Sequence, residues 1–237
     1  MTDVLDVGCG SGIWVLEMCH DYPSCNFTGI DILESQPSTI VPKNARFVMA
    51  NVRNRTLHPP PITHVGLPFQ DQSFDYIHIR GMSASIATDE WKTILPELLR
   101  ILRPGGIIEV FDSSGDYIDP GHWQVTYWRP CTRKFRATMG LNPDPYSAFV
   151  PWLTEAGFVN AQQIDVLQPM GPWAGKLGML GFDIYRRILT ELKVRFINAG
   201  IIATQQEADE AFQKRMDEIT TGQETVIWNA HLAQRPF

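Results

Sequence analysis

No run of 18 or more apolar residues occurs in the 237-residue chain, so nothing in it reads as a membrane-spanning helix. The opening residues lack the basic, apolar pattern of a signal peptide and the Arg-rich pattern of a transit peptide. Cysteine is scarce. Cys9, Cys19, Cys25 and Cys131 show neither a CxxC pair nor metal-ligand spacing, so no metal site is expected and the thiols read as reduced, in a reducing compartment. Basic charge is short too: 20 Lys and Arg against 26 Asp and Glu leave a formal charge of −6. Phosphate-backbone binding needs a basic surface, so nucleic acid is not expected as a partner. The densest basic group, Arg129, Arg133, Lys134 and Arg136, reads as a solvated helix face. Internal repeats and low-complexity tracts are missing as well. These absences point to a soluble protein of the cytoplasm, with the nucleus as second choice and no membrane partner.

What is present suits one α/β domain. Hydrophobic residues make up 44% of the chain, enough for a two-sided core at this length. Over the first hundred residues, short apolar runs alternate with helical patterns, which predicts βαβ units and a mainly parallel sheet. Strands are expected at 3–7, 26–31, 45–50, 73–80 and 107–112, and helices at 11–21, opening on Ser11, and at 89–102. Pro104-Gly105-Gly106 reads as a tight turn before the fifth strand, and Pro59-Pro60-Pro61 makes 53–65 a surface loop. Residues 120–139 are rich in aromatics. Further helices are expected at 145–157, about 174–199 and about 204–220, with a sixth strand at 158–168. In the closing TVIWNAHLAQRPF, Val226, Trp228, Ala230 and Leu232 alternate with less apolar positions, which predicts a half-buried antiparallel strand.

The stretch VLDVGCGSGIW carries the most chemistry. A strand that breaks into Gly8, Gly10 and Gly12 and then opens a helix can turn with positive φ and admit a ligand against its backbone. The helix N-terminus adds free N–H groups and partial positive charge for an anionic group. Asp31, nineteen residues after Gly12, stands at the end of strand 2, where a carboxylate can accept both ribose hydroxyls of an adenosine. A dinucleotide fingerprint needs Gly or Ala at position 13. Ile13 stands there instead, and its branched side chain is expected to crowd the helix–strand packing. A hydride-transferring dehydrogenase is therefore the third choice.

These residues resemble the class I S-adenosylmethionine-dependent methyltransferases. VLDVGCGSG is similar to their first motif and GID, ending in Asp31, to the second. ARFVMANV and GLPFQDQSFDYIHIRG are similar to the third and fourth, and LLRILRPGGIIEVFD to the crossover into strand 5, so the likeness covers about residues 3–112. GIW, EAGF, QPMGPWAGKLG and the closing AQRP resemble, more narrowly, the fungal methyltransferase-like proteins of secondary metabolism. The resemblance implies a doubly wound, Rossmann-like α/β sandwich with a mostly parallel seven-stranded sheet in order 3-2-1-4-5-7-6, strand 7 antiparallel. It implies one methyltransferase domain over 1–237, with 1–112 binding the cofactor and 113–237 facing the substrate, a helical insertion lying at about 174–220. S-adenosyl-L-methionine is the implied cofactor. Gly8, Cys9 and Gly10 would line its methionine part, Asp31 hold the ribose, and Ile32 meet the adenine. Asn51 and Val52 would lie near the adenine amino group, Arg80 offer its carbonyl to the methionine amine, and Asp6 contact the loop or that amine.

Two departures stand out. Thirteen residues, Arg53 to Val65, separate Val52 from GLPF where the family passes in two or three. Only three residues precede Val4, where the family carries several dozen that form covering helices, so a truncated chain is expected. No catalytic base is assigned. Asp112, Asp116 and His122 are available after strand 5, with Trp123, Tyr127 and Trp128 as aromatic walls. Their ordinary readings are loop acids, a solvated histidine and packing aromatics. His78 reads as a hydrogen-bonded core histidine, and helix 174–199 as packing on the sheet, with a wall for a hydrophobic acceptor as its second reading. The implied activity is methyl transfer to a small-molecule acceptor. The alternative is a methyltransferase-like regulatory protein acting through protein partners.

Overall fold

The computed structural model describes residues 2–53, 66–144 and 146–237, Ser114 by its backbone alone. Of the Pro-rich insertion, only Arg53 lies among the described residues. In chain order the elements begin with β1 (Asp3–Val7), α1 (Ile13–Asp21), β2 (Asn26–Asp31), β3 (Ala45–Met49), β4 (Phe74–Arg80), α2 (Trp91–Ile101) and β5 (Leu102–Ile118). They continue with α3 (Arg129–Thr138), α4 (Tyr146–Glu155), β6 (Val159–Pro169), α5 (Gly175–Asn198), α6 (Gln205–Thr221) and β7 (Thr225–Gln234). A short 3-10 turn at Met82–Ala84 follows β4, another at Pro172–Ala174 precedes α5, and a π turn at Gln124–Trp128 precedes α3.

The strands form one seven-stranded sheet in the order β3-β2-β1-β4-β5-β7-β6, as the resemblance implies. β1 pairs parallel with β2 and β4, β2 with β3, and β4 with β5. A parallel sheet needs cover on both faces, hence the unbroken burial of Val4, Leu5, Asp6 and Val7 in the central strand. β7 runs the other way. Gly105 N–H donates to Arg235 O at 3.0 Å, Arg235 N–H to Gly106 O at 2.8 Å, and His231 Nδ1 lies 3.4 Å from Val110 O. As one strand's number rises its partner's falls, the mark of an antiparallel pair.

The Pro-Gly-Gly turn proves to be a bulge inside β5. Phe74 pairs with Leu102 and Tyr76 already with Ile107, so residues 103–106 are extruded while the ladder continues. Gly105 at φ 76° permits it. The alternation read in the last strand is also corrected. Asn229, Ala230, His231 and Ala233 are all buried while Trp228 is only partly so, because neither face of β7 is open: no residue from Thr225 to Gln234 is exposed.

The chain divides into two compact units, the first comprising Met1–Asp112, Ser147–Ile164 and Ala230–Phe237, and the second Ser113–Tyr146 and Asp165–Asn229. In the first, α2 buries Trp91, Ile94, Leu95, Leu98 and Ile101, the helical stripe the sequence displays. The AQRP stretch has a structural use here. The Arg235 guanidinium donates to the carbonyls of Leu99, Arg100 and Leu102, capping the C-terminal end of α2. Arg235→Ala is expected to cost about 2 kcal/mol in chemical denaturation, since a cation at a helix C-terminus and charged hydrogen bonds are both lost. A loss within experimental error would deny it that role. Further along the same helix, Glu97 accepts from Leu67 N–H at 2.7 Å and is forked by Arg100, which also reaches Asp71 at 2.6 Å. Arg53 pairs with Glu90, just before α2, at 3.4 Å.

The second unit has its own core of Trp128, Met170, Leu189, Phe196, Ile202 and Ile219 among others. The basic group on α3 is only half the solvated face expected: Arg133 and Lys134 are exposed, while Arg129 pairs with Asp116 at 2.9 Å and Arg136 Nε donates to Asn142 O at 2.6 Å.

Candidate functional site

The glycine turn leaves β1 with Gly8, Gly10 and Gly12 at φ 73°, 55° and 78°, all left-handed and all suited to glycine. α1 begins at Ile13 with Gly12 as its N-cap, so Ser11 does not cap it. The close packing falls on the third glycine. A Cβ at Gly12 would come within 2.6 Å of the Phe47 ring, whereas Ile13 is 56% exposed and crowds nothing. The steric case drawn from Ile13 therefore belongs one residue earlier.

Asp31 holds the turn in shape. Its Oδ2 accepts from Gly10 N–H at 2.8 Å and its Oδ1 from Leu33 N–H at 3.0 Å. A carboxylate has about four acceptor positions, so about two stay open to a ligand. The Gly10 carbonyl accepts from Ser35 Oγ at 2.9 Å and Gln36 Nε2 at 2.7 Å. Gly8 and Cys9 N–H both donate to Ile30 O, at 2.8 and 3.0 Å. The loop is thus rigid before any ligand arrives.

Beside this loop, at the carboxyl ends of β1, β2 and β3, lies a cavity of about 470 Å³ including its open mouth. Val7, Gly8, Ile30, Asp31, Ile32, Ala50, Asn51, Val52, Arg53, Met82 and Ser85 line it, mostly with apolar surface. The lining has the mixture expected of a small-molecule site, an apolar slot with few oriented polar groups. Five of the nine residues singled out from the sequence meet here: Gly8, Asp31, Ile32, Asn51 and Val52. Ile32 is 60% exposed, a bare apolar plate next to the carboxylate. Asn51 Oδ1 accepts from Arg53 N–H at 3.0 Å, so the amide NH2 is its remaining polar group.

The other four are not in that lining. Gly10 acts through Asp31. Arg80 is exposed at the end of β4. Asp6, 3% exposed, is directed to His78, whose Nδ1 lies 2.8 Å from Asp6 Oδ1, with Trp14 stacked on the imidazole at 3.9 Å between ring centroids. His78 is the core histidine its strand position suggests, and Asp6 is its partner. Cys9 turns its side chain into the cluster of Val4, Val15, Cys19 and Phe27. Burial, with Asp6 and Asp31 nearby, pushes its thiol up to about 12, and burial pushes Cys19 to about 11. Both thiols should resist an aromatic disulfide reagent at neutral pH until the chain unfolds; rapid reaction of the folded chain at either would contradict their burial. The folded state holds these two protons more tightly than the unfolded one. Their contribution to stability is full below the ordinary thiol value of 9.0 and is lost as pH climbs toward 11 and 12.

Sequence reasoning missed Met82. It sits on the 3-10 turn after β4, and its thioether occupies the space a Cβ on Gly8 would need. Asp112 Oδ2 accepts from Ser83 N–H at 2.8 Å and so fixes that turn. Nothing local in MSAS marks it as cavity wall; only the pairing of β4 beside β1 does. In the second unit Asp116 accepts from Tyr146 OH at 2.5 Å and pairs with Arg129 at 2.9 Å. His122 is exposed, while Trp123, Tyr127 and Trp128 pack in that unit's core.

A family model described as a methyltransferase domain matches residues 4–106. The secondary metabolism regulator laeA of Coprinopsis cinerea is 26% identical over 213 residues, covering 83% of this chain and 48% of that protein. The methyltransferase pytC of Aspergillus terreus is 28% identical over 181 residues, 72% of this chain and 50% of that one. The chain thus spans about half the length of these curated relatives. Among solved structures, phosphoethanolamine N-methyltransferase 2 of Haemonchus contortus in complex with S-adenosyl-L-methionine superposes with a TM-score of 0.55 at 15% identity, covering 100% of this chain and 49% of that one. No helix among the described residues is long and apolar enough to cross a membrane.

Proposed function

Because residues 4–106 match the family model described as a methyltransferase domain, we propose that the chain binds S-adenosyl-L-methionine in the cavity beside the glycine turn and transfers its methyl group to a small molecule. The observation that carries this reading is Asp31. Its carboxylate is fixed by Gly10 and Leu33, keeps acceptor capacity, and shares one cavity with Ile32 and Asn51. The residues fit the group. Asp31 accepts the ribose hydroxyls, Ile32 and Val52 offer apolar surface to the adenine, and the Asn51 amide donates to a ring nitrogen. Gly8 leaves its Cβ space to the Met82 thioether, and the two together form one wall of the cavity.

The cofactor, when bound, supplies an electrophilic methyl carbon on a sulfonium. The chain's own part is alignment. A cavity wall fixed by backbone hydrogen bonds holds the reacting carbon in one place, and such positioning is worth about 7–11 kcal/mol in well-oriented cases. A general base would add about 10²–10⁴-fold, so its absence from the assignment leaves the reaction intact. Asp112 serves the 82–84 turn and Asp116 serves Arg129 and Tyr146, so neither carboxylate is given that task.

Titration of the folded full chain with S-adenosylhomocysteine in a calorimeter should give saturable, one-site heat, while NAD leaves the melting temperature unchanged. Absence of heat with a cooperatively folded chain would overturn the reading. The second reading, a regulator acting through protein partners, is favoured by the laeA likeness. Partner capture that survives loss of Gly10 and Asp31 would support it; dependence on both would support the enzyme.

A further inference from the structure

α5 presents two apolar stripes, and the second unit's core uses one. Gly178, Gly181, Leu189 and Phe196 are buried along one side. Leu177, Leu180, Ile184 and Ile188 line another and are 56, 56, 39 and 42% exposed. Their spacing of three, four and four residues, at 100° per residue, keeps all four within about 80° of arc. A helix needs one apolar stripe to pack on its own fold, so a second, contiguous stripe calls for a partner.

The charges beside the stripe identify it. Lys176, Asp183 and Arg187 are exposed along one flank of the stripe and exposed Glu191 follows Ile188 at the stripe's end, with signs plus, minus, plus, minus along the chain. Among the described residues Lys176, Arg187 and Glu191 form no ion pair, and Asp183 has only a 3.8 Å surface pair with Arg186. Laid antiparallel on a copy of itself about a two-fold axis at Ile184, the helix sets residue i against residue 368 − i. Leu180 then meets Ile188, and Ile184 meets itself. A two-fold operation keeps each flank facing its own equivalent. Lys176 therefore falls beside Glu191 of the other copy, and Asp183 beside Arg187. A parallel two-fold would instead turn this flank toward the opposite side of the partner helix and forgo these pairings.

We infer that the exposed stripe of α5 is a self-association surface, through which two copies of this chain pair antiparallel about Ile184. The surface lies in the second unit and stands independently of methyl transfer. Apolar side chains supply the attraction, and the alternating charges choose copy and direction, as flanking charges do in helix pairs.

Sedimentation velocity of the full chain across rising concentration is expected to show a monomer–dimer equilibrium. Ile184→Glu sets two acids together at the axis and should weaken it about tenfold or more, with the thermal melt unchanged. Glu191→Lys should weaken it, and adding Lys176→Glu should restore it. Under mild oxidation Ile184→Cys is expected to cross-link to its own copy and Leu177→Cys is not, since only a residue at an antiparallel axis meets itself. A chain monomeric at every concentration would overturn the inference, as would a dimer indifferent to Ile184→Glu. Self-linking at both cysteines would overturn the antiparallel arrangement.

Discussion

Replacing Arg215 by alanine should lower the unfolding free energy by about 3–5 kcal/mol, the largest single loss of stability expected in this chain. Arg215 is 0% exposed and forks Glu224, itself 1% exposed, through two bonds of 2.6 Å. Its Nε donates to Tyr185 OH at 3.2 Å, and the Tyr117 and Tyr185 rings lie 5.5 and 5.1 Å from the guanidinium carbon. Glu224 also accepts from Gly121 N–H at 2.9 Å, and Glu218 from Trp123 N–H at 2.6 Å. Removing the cation strands a buried carboxylate among aromatics, and that desolvation dominates the loss. Exchanging both partners, Arg215→Met with Glu224→Leu, should cost much less than either single change. Guanidinium denaturation followed by tryptophan fluorescence measures all three. A single-variant loss under about 1 kcal/mol, the ordinary worth of an exposed pair, would show that the pair is solvated.

The second large effect concerns Asp31. Asp31→Ala should weaken S-adenosylhomocysteine binding about 100-fold or more, because hydrogen bonds to a charged group are worth about 1.5–3 kcal/mol each and two are lost. It also releases Gly10 N–H and Leu33 N–H, so the turn loses its fixed shape as the ligand loses its acceptor. Asp31→Asn keeps one oxygen for Gly10 and should fall between alanine and wild type. Calorimetry on the three proteins separates the roles. An alanine variant binding within about threefold of wild type would remove Asp31 from the site.

The strands were legible because each parallel strand announces itself. Each is a short apolar run, and glycines or prolines punctuate the gaps. Their order in the sheet came from the family resemblance, since an apolar run does not name its neighbour. The places where reading failed share a physical cause. Pro104-Gly105-Gly106 reads identically as a turn and as a bulge, and only the pairing of Phe74 with Leu102 distinguishes them. Asp6 looks like a loop contact until His78, 72 residues on, lies against it. Of the cavity residues, Gly8 and Asp31 were legible because backbone freedom or charge is needed where a strand ends, while Ile32, Asn51 and Val52 were reached only through the family resemblance. Met82 and Ser85 were reached by neither, since their presence in the wall depends on where β4 sits beside β1. The aromatics of 123–128 carry no local sign that they fill a core rather than face an acceptor.

Glu90, at the N-cap of α2, and Glu97, about two turns on, hold Arg53 and the Leu67 amide respectively. The chain on either side of residues 54–65 is therefore fastened to the same short rod. Closing a loop between fixed posts costs only about 0.6 kcal/mol per doubling of its length. Residues added between those posts are therefore expected to cost the fold little, because the two fastenings that hold the neighbouring strands in place do not depend on the length of chain between them.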